Sequence, residues 1–291
     1  MFKKLRLAFH KYPDIVSVDE KNIALELKLE NFMTHWKNRL KAFSIHLIIS
    51  AAVISIFMLI VAKFWFPGPL FDLENVWQGL KILILVTLVL GPLLTLLVFV
   101  PGKKHLMLDL VVIVACQMGA LIYGGFVIYG QRPAVFVFVV DRFEILPASE
   151  AVIADIPMQR FDESDKSFPL ITYALPAQSV EERNHYVLNK VDFKRIGERH
   201  YPIKDYLDKV AEKSLDINKI TPINERSQSP LKSLDKDSLM KDNLYLLPLQ
   251  ATTGAAILVA IDASTGQVIQ LLDIVIWAEY NKKQKAGAKG L

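Results

Sequence analysis

The sequence predicts a membrane protein with three transmembrane α-helices followed by a soluble α+β domain with antiparallel strands. Three observations carry that expectation. Residues 80–100 hold a single charge, Lys81 at one end, and are long enough to cross a hydrocarbon core of about 30 Å. Runs of similar length and composition flank them at 44–66 and 106–129, joined by short loops. From residue 130 the chain changes to short β-branched and aromatic runs separated by polar stretches. With 52% hydrophobic residues, 22% charged residues and a mean hydropathy of +0.30, the whole chain averages between a soluble and a membrane protein, as a two-part chain does.

Residues 1–43 read as a cytoplasmic N-terminal segment. Within it, 1–32 is either a basic amphipathic surface helix or, the favoured reading, a loosely ordered tail. No small-residue cleavage site follows an apolar core there, so a signal peptide is not expected. Organised sequence begins at Met33, which marks a possible alternative start. The first span, 44–66, is preceded by Lys37, Arg39 and Lys41 with no acid between them. His46 lies near that basic end and is read as an interfacial residue. Lys63, one turn from the far end, can reach the interface beside Trp65 and Phe66.

Pro67-Gly68-Pro69 ends the first span, and the loop to Gly79 carries Asp72 and Glu74 as its charges. The second span contains Gly91-Pro92 and exits into Pro101-Gly102-Lys103-Lys104. Proline in a helix lacks an N–H, frees a carbonyl one turn back and permits a bend or an incoming donor. The third span carries Asp109 near its basic end, where an acid suits both the helix dipole and the two lysines. Gln117 lies deeper and needs a partner on another helix, with Thr87 and Thr95 the candidates. Ala115 with Gly119, and Ala120 with Gly124, are small-residue spacings that let helices approach closely. They serve either the chain's own packing or a foreign transmembrane helix.

Basic residues before the first span and at Lys103-Lys104, against an acidic first loop, place the N-terminus in the cytoplasm. An odd number of spans then exports residues 130–280, in a bacterium to the periplasm. There, PAVFVFVV and FEIL around Asp141-Arg142 form an expected hairpin. FPLITYAL and HYVLNKV are further strand candidates, 203–215 has helical spacing, and 216–243 is polar with one helix expected at 230–240. AILVAID and QVIQLLDI, around a turn ending at Gly266, make a second hairpin, and 281–291 is expected to be disordered.

Catalytic signatures are missing. The chain has no His-Glu-x-x-His, no Gly-x-Ser-x-Gly and no P-loop, and its two Ser-x-x-Lys matches, from Ser229 and Ser233, lack companion motifs. His185 and His200 have no evident third partner. The single cysteine, Cys116, permits no internal disulfide. No enzyme activity, cofactor or metal is expected. Nucleic acid is not an expected partner either, because no long basic tract occurs except in the last dozen residues.

The stretches RLKAFSIHLIIS, WFPGPLF, WQGLKILILVTLVLGPLLTLLVF with PGK, and LDL through YGQRPAVFVF resemble the TfpX/TfpZ-type type IV pilin accessory proteins. The likeness covers about residues 37–146, with Trp77, Gln78, Gly91 and Pro92 in its most specific elements. It implies an inner-membrane accessory protein, a chaperone or assembly factor, for a cognate type IV major pilin. Its second and third helices would meet the pilin helix, around Gly91, Pro92, Ala115, Gln117, Gly119 and Gly124, and its exported domain the pilin head. The lipid bilayer and the pilus assembly machinery would be its other partners. The alternative class is a membrane-anchored periplasmic sensor or ligand-binding module.

Overall fold

The computed structural model describes residues 13–216 and 243–274, with side chains from residue 22 onward except Ala24. The sequence expectations for residues 1–12, for the 230–240 helix, for the Ser-x-x-Lys matches and for the 281–291 tail lie outside the described residues. The described chain divides into two compact units, 13–56 with 82–122, and 57–81 with 123–216 and 243–274.

Among the described residues, three helices are long and apolar enough to cross a membrane. Helix α1 runs Pro13–Ile60 and continues through a π-helical turn, Val61–Trp65. The loosely ordered tail expected before the first span is therefore helical from Pro13. The reason is local: no glycine or proline occurs between Pro13 and Pro67, and a proline at the first helical position is pre-set for the turn. A one-turn helix α2 (Leu70–Leu73) leads to α3, Val76–Val98, and then to α4, Leu106–Gly130. Within the first unit, Ile54, Leu83 and Ile113 are buried, while Ile48, Ile82 and Val111 face outward. An apolar exterior of this kind matches lipid, where exposing leucine and isoleucine carries no cost. At the start of α4, Lys103 Nζ donates to Asp109 at 2.5 Å, the pairing expected from their spacing.

The second unit contains a seven-stranded sheet. Its strands are β1 Pro133–Val139, β2 Arg142–Pro147, β3 Leu170–Ala174, β4 His200–Pro202, β5 Leu244–Gln250, β6 Ala256–Asp262 and β7 Val268–Leu272. Their order is β4-β3-β1-β2-β5-β6-β7. Both expected hairpins form, β1–β2 and β6–β7. The second is closed by Asp262, whose carboxylate accepts from Ser264 and Thr265 and is thereby held down to about 2. The sheet is nevertheless mixed, not antiparallel, because β1 pairs β3 and β2 pairs β5 in parallel. Burial explains the first of these. Phe136, Val137 and Phe138 are consecutive and all buried, so β1 is covered on both faces as an interior strand must be. Helix α5 (Ala148–Ala154) covers one face, where Ala154 joins Val135, Val137 and Leu146 in the core. On the other face Phe138, Phe143, Tyr173 and Tyr206 form a chain of ring contacts, the last pair stacked at 4.3 Å.

Residues HYVLNKV, expected as a strand, lie largely in helix α6 (Val180–Asn189). Ser179 decides it, because its hydroxyl accepts from the Glu182 N–H as an N-cap while Glu181 and Glu182 sit in the first turn. The expected helix at 203–215 is shorter: a 3₁₀ turn from Ile203, then α7, Leu207–Ala211. Between α2 and α3, Glu74 accepts from both the Thr252 backbone N–H and its hydroxyl, and Thr253 Oγ1 donates to Leu73 O at 2.9 Å. The loop after the first span is thus tied to the β5–β6 turn of the same unit.

His200 on β4 is fully buried. Its Nε2–H donates to Lys194 O at 2.8 Å and its Nδ1 accepts from Thr172 Oγ1 at 3.0 Å. Burial holds this imidazole below its ordinary value of 6.5, so the unfolded chain takes up the proton first. Its contribution to stability is complete above that value and is lost as pH falls. Glu74 works in the opposite sense, since burial raises its carboxyl and the folded form binds its proton first. Thermal melts of the detergent-solubilised protein and of His200→Asn are therefore expected to diverge in slope as pH drops below about 6.5. Wild type should lose stability more steeply; parallel curves would remove His200 from the account.

Candidate functional site

His46, Thr95 and Gln117 of the first unit meet in one network that links its three helices. It begins with a defect in α3. Residues Leu85–Leu90 are π-helical, and the Gly91 N–H closes this segment by donating to Val86 O, five residues back. In a regular α-helix that N–H would donate to Thr87 O instead. The next donor in the π pattern would be residue 92, which is proline and has none. Thr87 O is left without a backbone donor at a depth where no water can replace it. Gln117 Nε2, from α4, donates to it at 3.1 Å.

That bond fixes the Gln117 amide, because its nitrogen is committed and its oxygen must accept. His46 Nε2, from α1, meets Gln117 Oε1 at 2.7 Å, and His46 Nδ1 meets Thr95 Oγ1 at 2.6 Å. The donor on Nε2 follows from the acceptor it faces, and Nδ1 shares the Thr95 hydroxyl with Gly91 O. Thr95 Oγ1 also lies 3.2 Å from Gly91 O, one turn back. Thr87 and Thr95 are buried. The packing is close: a Cβ built on Gly91 would stand 1.8 Å from Gln117 Nε2.

The network forms the floor of a groove of about 380 Å³ between α1 and α4. Its walls are apolar, with Ile45, Ile49 and Val53 on one side and Val114, Met118 and Leu121 on the other. A groove of this kind can hold an apolar helix or an acyl chain against a few fixed polar groups.

The sequence-derived residues divide accordingly. Gly91, Pro92 and Gln117 meet in the network, and the carbonyl freed by Gly91-Pro92 is bonded by the chain's own Gln117. Ala115 and Gly119 lie on an exposed face of α4, and the position of a Cβ on Gly119 has no atom within 4 Å. Gly124 is half-buried. The close approach within the second unit is made by the neighbouring Gly125, whose Cβ position would be 3.2 Å from Phe57. Trp77 and Gln78 are exposed at the start of α3 and take no part in the network. Lys37 and Lys41 are exposed on α1, with Arg39 over the Trp36 ring at 5.7 Å. Lys103 and Lys104 are exposed in the turn before α4.

His46, read from the sequence as an interfacial residue, also has partners the sequence reading did not assign: α1 brings its ring against Thr95 and Gln117. A local signal points the same way: His46, Thr95 and Gln117 are polar side chains within apolar spans, where a partner must come from another helix.

Residues 34–74 match the family described as Fimbrial assembly protein FimB. A relative from Dichelobacter nodosus, the fimbrial assembly protein of serogroup I, is 24% identical over 233 residues, covering 76% of this chain and 90% of its own. The serogroup E1 protein is 26% identical over 236 residues with the same coverage. The protein of serogroups C1 and C2 is 29% identical over 122 residues, covering 40% of this chain and 91% of its own. The chain is similar to fimbrial assembly proteins. The similarity to the two longer relatives extends over three quarters of the chain, far beyond the matched segment around the first span. No solved structure matches it.

Proposed function

We propose that this protein is a non-enzymatic, multi-pass inner-membrane factor for assembly of type IV fimbriae, acting on a cognate major pilin. The observation that carries the reading is similarity to relatives named fimbrial assembly proteins over 76% of the chain. The likeness to TfpX/TfpZ-type accessory proteins around Trp77-Gln78-Gly79 and Gly91-Pro92 narrows it to a pilin accessory role. The basic residues Lys37, Arg39, Lys41, Lys103 and Lys104 favour a cytoplasmic N-terminus and, with three spans, support a periplasmic sheet domain. A pilin in the membrane is one apolar helix carrying a globular head. The groove between α1 and α4 and the adjoining Ala115/Gly119 face offer the helix a seat, and the periplasmic domain offers the head one.

Deleting the gene is expected to lower the level or surface display of one pilin, and that pilin should co-purify with the protein in detergent. Normal pilin level and normal piliation in the deletion strain would overturn the proposal. Gly119→Leu puts a branched side chain into open space on the outward face, so it should leave insertion intact and reduce pilin recovery severalfold. Undiminished recovery would remove that face from the binding surface.

A further inference from the structure

Helix α5 buries Ala148 and Ala154 against the sheet and turns Val152 and Ile153 outward, 80% and 83% exposed. Two adjacent branched aliphatics left in water forgo the stabilisation that burying them would bring. Beside them lies a cleft of about 680 Å³. One wall is Val152, Met158 and Phe168; the other is Phe126, Tyr129 and Arg132, at the end of α4 and just beyond it. All belong to the same compact unit, in which α5 lies beside the end of α4.

The α4 wall shows the level at which this cleft sits. Phe126 is 76% exposed on a helix apolar enough to span the membrane. Three residues on, about 5 Å along the axis, Tyr129 packs edge-on against Trp65 at 5.0 Å, the kind of pair that marks the membrane–water interface. The Arg132 guanidinium lies 3.6 Å from the Tyr129 ring centre and donates to Tyr129 O at 3.0 Å. Among the described residues it has no carboxylate within ion-pairing distance. Asp155 borders the same cleft and places an acid opposite in sign to Arg132 on its rim.

We propose that this cleft is a lipid seat. In it, α5 and the Phe168 loop dip into the bilayer surface, and a glycerophospholipid lies along Phe126 with its phosphate toward Arg132. Lipid is the occupant because the cleft wall continues the lipid-facing surface of α4, where a second protein would first have to displace lipid from Phe126. One basic and one acidic side chain on the rim match a zwitterionic head group. The domain is thereby held flat on the membrane, a property beyond the assembly role and independent of it.

The test uses the full chain in nanodiscs of phosphatidylethanolamine and phosphatidylglycerol, with incorporation verified for each variant. Bimane is attached at Val152→Cys in a Cys116→Ala background, and at Val187→Cys on α6 as an exposed comparison (71% exposed). Nitroxide carried near the lipid head group is expected to quench the label at 152 about threefold more than the label at 187, and aqueous iodide the reverse. Iodide quenching at 152 equal to that at 187 would overturn the proposal. Shielding of 152 from both quenchers would also overturn it, because a protein and not lipid would then cover the patch.

Discussion

Gln117→Leu is expected to lower the unfolding free energy of the protein in bicelles by about 2 kcal/mol, although it exchanges a polar side chain for an apolar one inside a membrane. Interhelical hydrogen bonds in membranes are modest, about 0.6 kcal/mol on average and up to about 1.7. Two are lost here, to Thr87 O and to His46 Nε2, and the Thr87 carbonyl has no backbone donor to fall back on. Pro92→Ala provides the decisive partner experiment. It restores the missing N–H and lets the π-helical segment return to regular α-geometry, in which the Gly91 N–H reaches Thr87 O. In that background Gln117→Leu should cost about half as much, a coupling readable in a double-mutant cycle. Equal costs in both backgrounds would show that Gln117 does not act through that carbonyl.

Phe143→Ala should be more damaging, about 4 kcal/mol, with a fall in melting temperature of about 10 °C for the sheet domain. Phe143 is fully buried and meets Phe138 edge-to-face at 5.4 Å. Its position magnifies the loss. The sheet is two groups of strands, β4-β3-β1-β2 and β5-β6-β7, joined where β2 pairs β5 through Phe143↔Leu249 and Glu144↔Gln250 alone. Arg142 Nη1 reaches Gln250 Oε1 across the same joint at 3.3 Å. Removing the ring opens a cavity at the narrowest point of the sheet, so proteolysis should separate the two strand groups more readily than in wild type. Val187→Ala, on the exposed face of α6, should change stability by less than about 0.5 kcal/mol in the same assay. If Phe143→Ala cost as little, the joint would not be the weak point.

How far the chain could be read in advance follows from the range of each interaction. The spans were legible because length and apolarity are local properties, and Pro67-Gly68-Pro69 and Pro101-Gly102 punctuate them. The strands around Phe136, Ile145, Leu170 and Leu258 were legible as β-branched and aromatic runs, and two hairpins followed from their turns. HYVLNKV has the apolar content of a strand, but the N-cap at Ser179, also a local signal, makes it largely a helix. The parallel pairings were not available. They join β1 to β3 and β2 to β5 across long connections, and no local pattern states which distant strand covers an interior one.

The sequence by itself determined that three apolar helices precede a strand-rich domain, that Gly91-Pro92 frees a carbonyl in the second span, and that Gln117 needs a partner in another. The tertiary structure alone decided that these two needs answer one another, and that His46 and Thr95 complete the set. The physical reason is the solvent. In lipid every polar group must find a partner within the protein, so the need can be read from one helix, but the partner depends on which faces three helices turn toward each other.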